Sequence, residues 1–207
     1  MSLAPYFIPN ATVCASQEIK RSRFITQLAH TPGITRAKAF IQQIKDEHPA
    51  AGHHCWGFVA GAPGDPMQLG FSDDKEPSGT AGKPILAHLQ GSHIGEITAV
   101  VTRYSGGIKL GTGGLVKAYG GGVRLALAQL IPVKKTPSKT VNINYVYQQQ
   151  NAIDELFRQF QVTVVRSEFK ATVSLTVTIN AIDIHEFINM AKIISGEQIK
   201  ITDSTDI

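Results

Sequence analysis

Three carboxylates fall within four positions of the stretch FSDDKEPSGTAGKP: Asp73, Asp74 and Glu76. Oxygen donors that dense on a flexible loop suit a hydrated Mg²⁺, and a metal held beside a phosphate supports phosphoryl transfer or hydrolysis. The same stretch is also ordinary turn chemistry, because Asp, Gly, Ser and Pro are the common loop formers. Ser78 or Thr80 is placed to cap a helix that follows. His53 and His54, in HHCWGFVAG, are adjacent, so on a strand they point to opposite faces and cannot share a metal. One is expected inward and satisfied, the other lining a groove. Cys55 sits among apolar residues that suggest a buried strand, and Cys14 is distant from it, with no CxxC or Cys–His ligand spacing. Neither a disulfide framework nor a zinc site is indicated, and no cofactor and no catalytic residue are expected.

Residues 103 to 122, RYSGGIKLGTGGLVKAYGGG, pose a second question, because eight of them are glycine. A Walker loop needs lysine directly after its last loop glycine, but Gly111 is followed by Thr112. The dinucleotide fingerprint needs a small residue at 116, where the chain has Val116. Neither nucleotide motif is present. A simpler anion site remains: the backbone N–H groups of Gly111, Thr112, Gly113 and Gly114 precede a helix, with Lys109 and Lys117 beside them. The run Gly120–Gly122 lies within the expected helix, where each glycine costs about 1 kcal/mol relative to alanine. Close packing against a neighbour explains it better than a ligand does.

Charge supports an acidic partner. Up to Lys135 there are 14 Lys and Arg against 8 Asp and Glu, and beyond it 6 against 8, so the basic excess belongs to the first two thirds of the chain. In EIKRSRF, Arg21 and Arg23 fall on one face of an expected strand, spaced for successive phosphates, with Arg103, Lys109, Lys117 and Arg124 expected on the same side. No segment offers the roughly 18 apolar residues a membrane span requires, so a cytoplasmic location and no membrane partner are expected.

Strands are expected over 19–29, 53–61 and 96–104, and helices over 34–48, from Thr80 to about Gln90, and after the glycine loop. IPVKKTPSKT, residues 131 to 140, reads as a linker. Beyond it the patterns are a strand over 141–147, a helix over 148–160 with Ile153, Leu156, Phe157 and Phe160 on one face, two β-rich runs, a helix over 182–194, and a last strand EQIKIT. That order, βαββαβ, is ferredoxin-like. The expected organisation is a mixed α/β (α+β) chain with domains at 1–134 and 135–207.

Taken in order, EIKRSRFI, HHCWGFVAG, GFSDDKEPSGTAGKPIL and VVTRYSGGIKLGTGGLVKAY resemble the IMPACT family. The resemblance implies an N-terminal two-layer α/β domain like that of a small-subunit ribosomal protein and of domain IV of elongation factor G, ahead of the ferredoxin-like unit. It also implies a translation-related role. The family's glycine motif usually carries two aromatic residues after the arginine, whereas Arg103 is followed here by Tyr104 and Ser105. Three functions are therefore in view: a regulator that binds RNA or the ribosome through a basic groove, a metal-dependent phosphoryl-transfer or hydrolase enzyme built on the DDKEPSGTAG loop, and a protein-interaction module. The last would show an apolar patch on its C-terminal sheet.

Overall fold

The computed structural model describes residues 4–195 and 199–203, and the chain divides at Lys135 and Thr136 into two units. The first contains β1 (Tyr6–Pro9), β2 (Val13–Ile19), β3 (Ser22–His30), α1 (Ile34–Glu47), β4 (His53–Val59), β5 (Leu69–Ser72), α2 (Gly82–Gly91), β6 (Ile97–Tyr104), α3 (Thr112–Leu127) and β7 (Pro132–Lys135). Five of these strands form one antiparallel sheet in the order β2-β3-β6-β4-β5.

The central strand β6, ITAVVTRY, is buried along all but its last residue, as expected where both faces of a sheet are covered. Ile97, Ala99 and Val101 pack with Phe24, Ile85, Leu89, Tyr119 and Val123, beneath α2 and α3. Val100 faces the other way, onto Ala37, Ile41 and Ile44 of α1. The expected layer of helices on the sheet is thus joined by a further helix on the opposite face.

Two expectations change. Ile19 pairs with Ser22, so the strand expected over 19–29 is a hairpin with Lys20 (φ 48°) and Arg21 (φ 62°) as its two-residue turn. Both residues are left-handed, the geometry of a primed turn that normally calls for Asn-Gly. Arg21 therefore leaves the strand. Arg23 pairs with Tyr104 and Phe24 with Arg103; neighbouring residues on a strand alternate faces, which puts Arg23 and Arg103 on opposite sides of the sheet. The expected linker is also largely structured, because β7 pairs with β1 and a further strand starts at Ser138.

The β1–β7 ribbon is pinned by Glu96. This residue is 5% exposed and its carboxylate accepts from Tyr6 Oη at 2.7 Å, His30 Nε2 at 2.7 Å and Lys135 Nζ at 2.5 Å. Burial works to raise its pKa, but the hydrogen bonds from Lys135, His30 and Tyr6 outweigh that and hold the carboxyl below its ordinary range. A depressed carboxyl stabilises the fold above the unfolded-state pKa of about 4, and the contribution is lost as pH falls through the folded value.

The second unit has β8 (Ser138–Tyr145), α4 (Gln150–Gln159), β9 (Thr163–Phe169), β10 (Val173–Asn180), α5 (Ile184–Ser195) and β11 (Lys200–Asp203). Its sheet runs β11-β8-β10-β9, antiparallel throughout, which with two crossing helices is the ferredoxin-like arrangement. Strict alternation on β8 and β10 turns Val141, Ile143, Tyr145, Val173, Leu175, Val177 and Ile179 toward Ile153, Leu156, Phe160 and Phe187 of the helices. Of the expected last strand, Glu197 and Gln198 lie outside the described residues.

The glycine run inside α3 is a packing device at two of its three positions. A Cβ at Gly122 would stand 2.5 Å from Thr26 Oγ1 on β3, and one at Gly120 2.7 Å from His88 Nε2 on α2, whereas Gly121 has nothing closer than 3.9 Å. Gly121→Ala should raise stability by up to about 1 kcal/mol through helix propensity. Gly122→Ala should lower it by about 1–3 kcal/mol, because the stiff, buried Thr26 cannot yield freely; urea unfolding of the two variants measures the difference. Glu96→Gln should cost about 1.5–3 kcal/mol at pH 7, and the deficit should vanish when both proteins are unfolded at a pH low enough to protonate Glu96.

Candidate functional site

Arg103, near the end of β6, is 8% exposed and Glu76 9%. They form an ion pair, Arg103 Nη1 to Glu76 Oε1 at 2.6 Å. The same Oε1 accepts from Tyr119 Oη on α3 at 2.7 Å, and His53 Nε2 stands 3.8 Å away. The guanidinium lies over the Phe24 ring at 5.6 Å and Nη2 donates to Ser22 Oγ at 3.4 Å, while Nε has no partner among the described residues. Ser22 Oγ also accepts from the Gly106 N–H at 3.2 Å.

Two strained turns deliver these partners. Asp74 (φ 39°) and Lys75 (φ 72°) repeat the left-handed pair seen at Lys20 and Arg21, and each turn is followed directly by a residue bonded to Arg103: Glu76 after one, Ser22 after the other. Left-handed non-glycine residues cost of order 1 kcal/mol or more and persist where their surroundings over-determine them. Gly106 seals the arrangement. A Cβ there would meet the Arg21 carbonyl carbon at 2.2 Å and its side chain at 2.6 Å, so only glycine lets the glycine-rich loop lie on the hairpin turn.

The remaining carboxylates serve the loop. Asp73 accepts from the N–H groups of Gly79, Ala81 and Gly82 at 2.9, 2.9 and 2.8 Å, capping α2 from eight residues upstream of Ala81. Burial opposes the charge on Asp73, but these three donors, with Lys83 nearby, hold its pKa below the ordinary range. The cap expected from Ser78 or Thr80 is therefore supplied by Asp73, while Thr80 Oγ1 donates to the Pro77 carbonyl at 2.6 Å and Ser78 is exposed. Asp74 Oδ2 accepts from the His54 N–H at 2.6 Å. With all three carboxylates so engaged, no group of three metal-ligating side chains exists among the described residues. Both Asp73 oxygens and Asp74 Oδ2 lie on backbone amides and Glu76 Oε1 lies on Arg103, so the three carboxylates are not gathered about one point.

The two histidines diverge as alternation requires. His53 Nδ1 donates to the Asp74 carbonyl at 2.9 Å on the Arg103 side. His54 is buried, with Nε2 donating to the His48 carbonyl at 3.1 Å; burial pushes its pKa down against that bond. Cys55 is fully buried, its thiol donating to the Asp73 carbonyl at 2.9 Å, and burial pushes its pKa up to about 12.

A cleft of about 270 Å³ opens beside the ion pair, lined by Glu76, Pro77, Arg103, Lys109, Leu110, Gly111, Thr112 and Leu115. The two sequence stretches singled out above thus share one concavity. Its wall is the N-terminus of α3, with Gly111 (φ 74°) as N-cap, no side-chain cap and no acidic residue in the first turn. The first intrahelical bond is from Leu115 N to the Gly111 carbonyl, so the N–H groups of Thr112, Gly113 and Gly114 face outward, and a Cβ at Gly113 would meet nothing within 4 Å. Of the expected phosphate contacts, Lys109 lines the cleft. Lys117 and Arg21 are exposed outside its lining, Arg23 is exposed on the other sheet face, and Arg103 is committed to Glu76. Tyr119 went unnoticed in the sequence, since its bond to Glu76 spans 43 residues and leaves no local signal.

The C-terminal sheet offers a different surface. A shallow depression on it is lined by Asn142, Asn144, Arg166, Glu168, Ser174, Leu175, Thr176 and Thr202, a mostly polar set.

An antiparallel sheet with two glycine-bearing helices on one face, ahead of a ferredoxin-like unit, defines a two-domain α/β protein, and the match of residues 20–127 to the Impact N-terminal domain places it. The chain belongs to the IMPACT family. It is 55% identical over 182 residues to IMPACT family member YigZ of Escherichia coli K12, covering 88% of this chain and 89% of that one. It is 49% identical over 185 residues to an IMPACT family member of Haemophilus influenzae, with 89% and 90% covered. A crystal structure described only as that of a hypothetical protein superposes with a TM-score of 0.72 at 50% identity over 98% of both chains. Among the described residues no helix is long and apolar enough to cross a membrane.

A thiol reagent at pH 8 should modify the exposed Cys14 rapidly and leave Cys55 unmodified until the protein unfolds. Fast reaction of both cysteines would contradict the buried position of Cys55.

Proposed function

We propose that the N-terminal domain binds RNA through its phosphates, with one phosphate seated on the free amides of Thr112, Gly113 and Gly114 beside Lys109. The observation that carries this is the bare N-terminus of α3. A helix of 16 residues opens at Gly111 and Thr112 onto a cleft, its first-turn amides unpaired among the described residues, flanked by Lys109 and with no acidic side chain in its own first turn. Helix ends normally have a capping side chain, and here glycines keep the approach open. Lys117, exposed on α3, and Arg21, exposed on the hairpin turn against which Gly106 lies, supply further cations for adjacent phosphates, and the basic excess of the first 135 residues favours a polyanion. A translation-related role in contact with ribosomal RNA fits this chemistry.

Phosphoryl transfer gains one point from the shared cleft, but Asp73 and Asp74 are bonded to backbone amides and Glu76 to Arg103. Phosphate recognition needs only the amides and lysines that are free.

Binding of this kind should weaken with salt, with a log–log slope of about −2 for three phosphates contacted on a single strand. Thr112→Glu separates function from folding. A carboxylate in the first helical turn should leave α3 as stable or stabilise it by about 0.3–1 kcal/mol, while its charge occupies the phosphate position. RNA affinity by fluorescence anisotropy should fall by about tenfold or more as the melting temperature holds or rises; unchanged affinity would sink the proposal.

A further inference from the structure

Glu76 lines the same cleft as the start of α3, and its carboxylate is only half used. Arg103 and Tyr119 both bond to Oε1, and Oε2 has no hydrogen-bond partner among the described residues. The side chain is 4% exposed and lines the same cleft as Lys109 and Thr112. A carboxylate oxygen only accepts, so whatever meets Oε2 must bring a donor. The Arg103 charge cancels that of Glu76, so the carboxylate does not drive a phosphate out of a cleft this small. The cleft therefore brings amide and lysine donors together with an acceptor oxygen of a largely buried carboxylate.

Resting on the phosphate reading above, we infer that the cleft is a ribose-selective subsite: the phosphate sits on the α3 amides and an adjacent ribose 2′-hydroxyl donates to Glu76 Oε2. A sugar-phosphate unit carries these two features next to each other, and the 2′-hydroxyl is the group that separates RNA from DNA. Deoxyribose would leave Oε2 desolvated and unpaired, which is how a site built to bond a hydroxyl rejects the analogue that lacks one. The strained Asp74–Lys75 turn places Glu76 for this task.

The test compares short single strands of one sequence in three chemistries, RNA, DNA and 2′-fluoro RNA, by fluorescence anisotropy at low salt. The fluoro sugar keeps the ribose pucker but has no hydroxyl to donate. RNA should bind about tenfold more tightly than either of the others, and Glu76→Gln, which keeps an acceptor for Arg103 and Tyr119 but turns an amide donor toward the cleft, should abolish the preference. Equal affinity for all three strands, lowered alike by Thr112→Glu, would overturn the ribose assignment and leave phosphate binding standing. So would a preference that survives Glu76→Gln, or 2′-fluoro RNA binding as tightly as RNA. Failure of every strand to bind would overturn both readings. If Glu76→Gln does not fold, the comparison between RNA and 2′-fluoro RNA on the unaltered protein decides.

Discussion

The N-terminal domain is organised around one buried ion pair, Arg103 with Glu76. Each partner would be costly alone in a site this enclosed, and removing one member of such a pair generally costs about 3–5 kcal/mol because the other charge is stranded. Here the pair ties three elements. Arg103 belongs to the central strand, Glu76 to the loop between β5 and α2, and Tyr119 on α3 bonds the same carboxylate oxygen. Bringing that loop to the start of α3 creates the cleft, so the site is a consequence of how the charges are satisfied. Strain in the two left-handed turns is held in place by the same bonds, with Ser22 and Glu76 as the anchor points.

Glycine does three different jobs along one short stretch. Gly106 lets the loop touch the Arg21 backbone, Gly120 and Gly122 let α3 approach α2 and β3, and Gly111 takes the left-handed conformation that starts the helix. Gly113 answers to none of these, since it has open space where a side chain would stand. Its open surroundings separate the start of α3 from the packing half of the stretch.

Much of the fold is legible in the sequence because it is written in local periodicity. The helical spacing of Ile153, Leu156 and Phe160 and the alternation on β8 and β10 suffice for the ferredoxin-like unit. Three features escape such reading. The hairpin at Lys20 and Arg21 lacks the Asn-Gly signal that its geometry prefers, so Arg21 looks like a strand residue. The β1–β7 ribbon joins opposite ends of the domain through Glu96, and non-local pairing leaves no mark in a short window. The acidic loop resembles a metal site by composition, yet Asp73 works as a distant helix cap. In the site itself, Lys109 and the amides of residues 111–114 are readable from strand–glycine–helix order, whereas the use of Arg103 by Glu76 depends on burial that the sequence does not display.

The most direct measurement is an amide-resolved titration, following ¹H–¹⁵N NMR signals of the isotopically labelled protein as a short single-stranded RNA is added at low salt. Saturable shifts should concentrate at Thr112, Gly113 and Gly114, with Lys109 and the 74–76 turn responding alongside. Shifts confined to the polar sheet face of the C-terminal unit, or no shifts at RNA concentrations well above those of the protein, would contradict phosphate recognition at the start of α3.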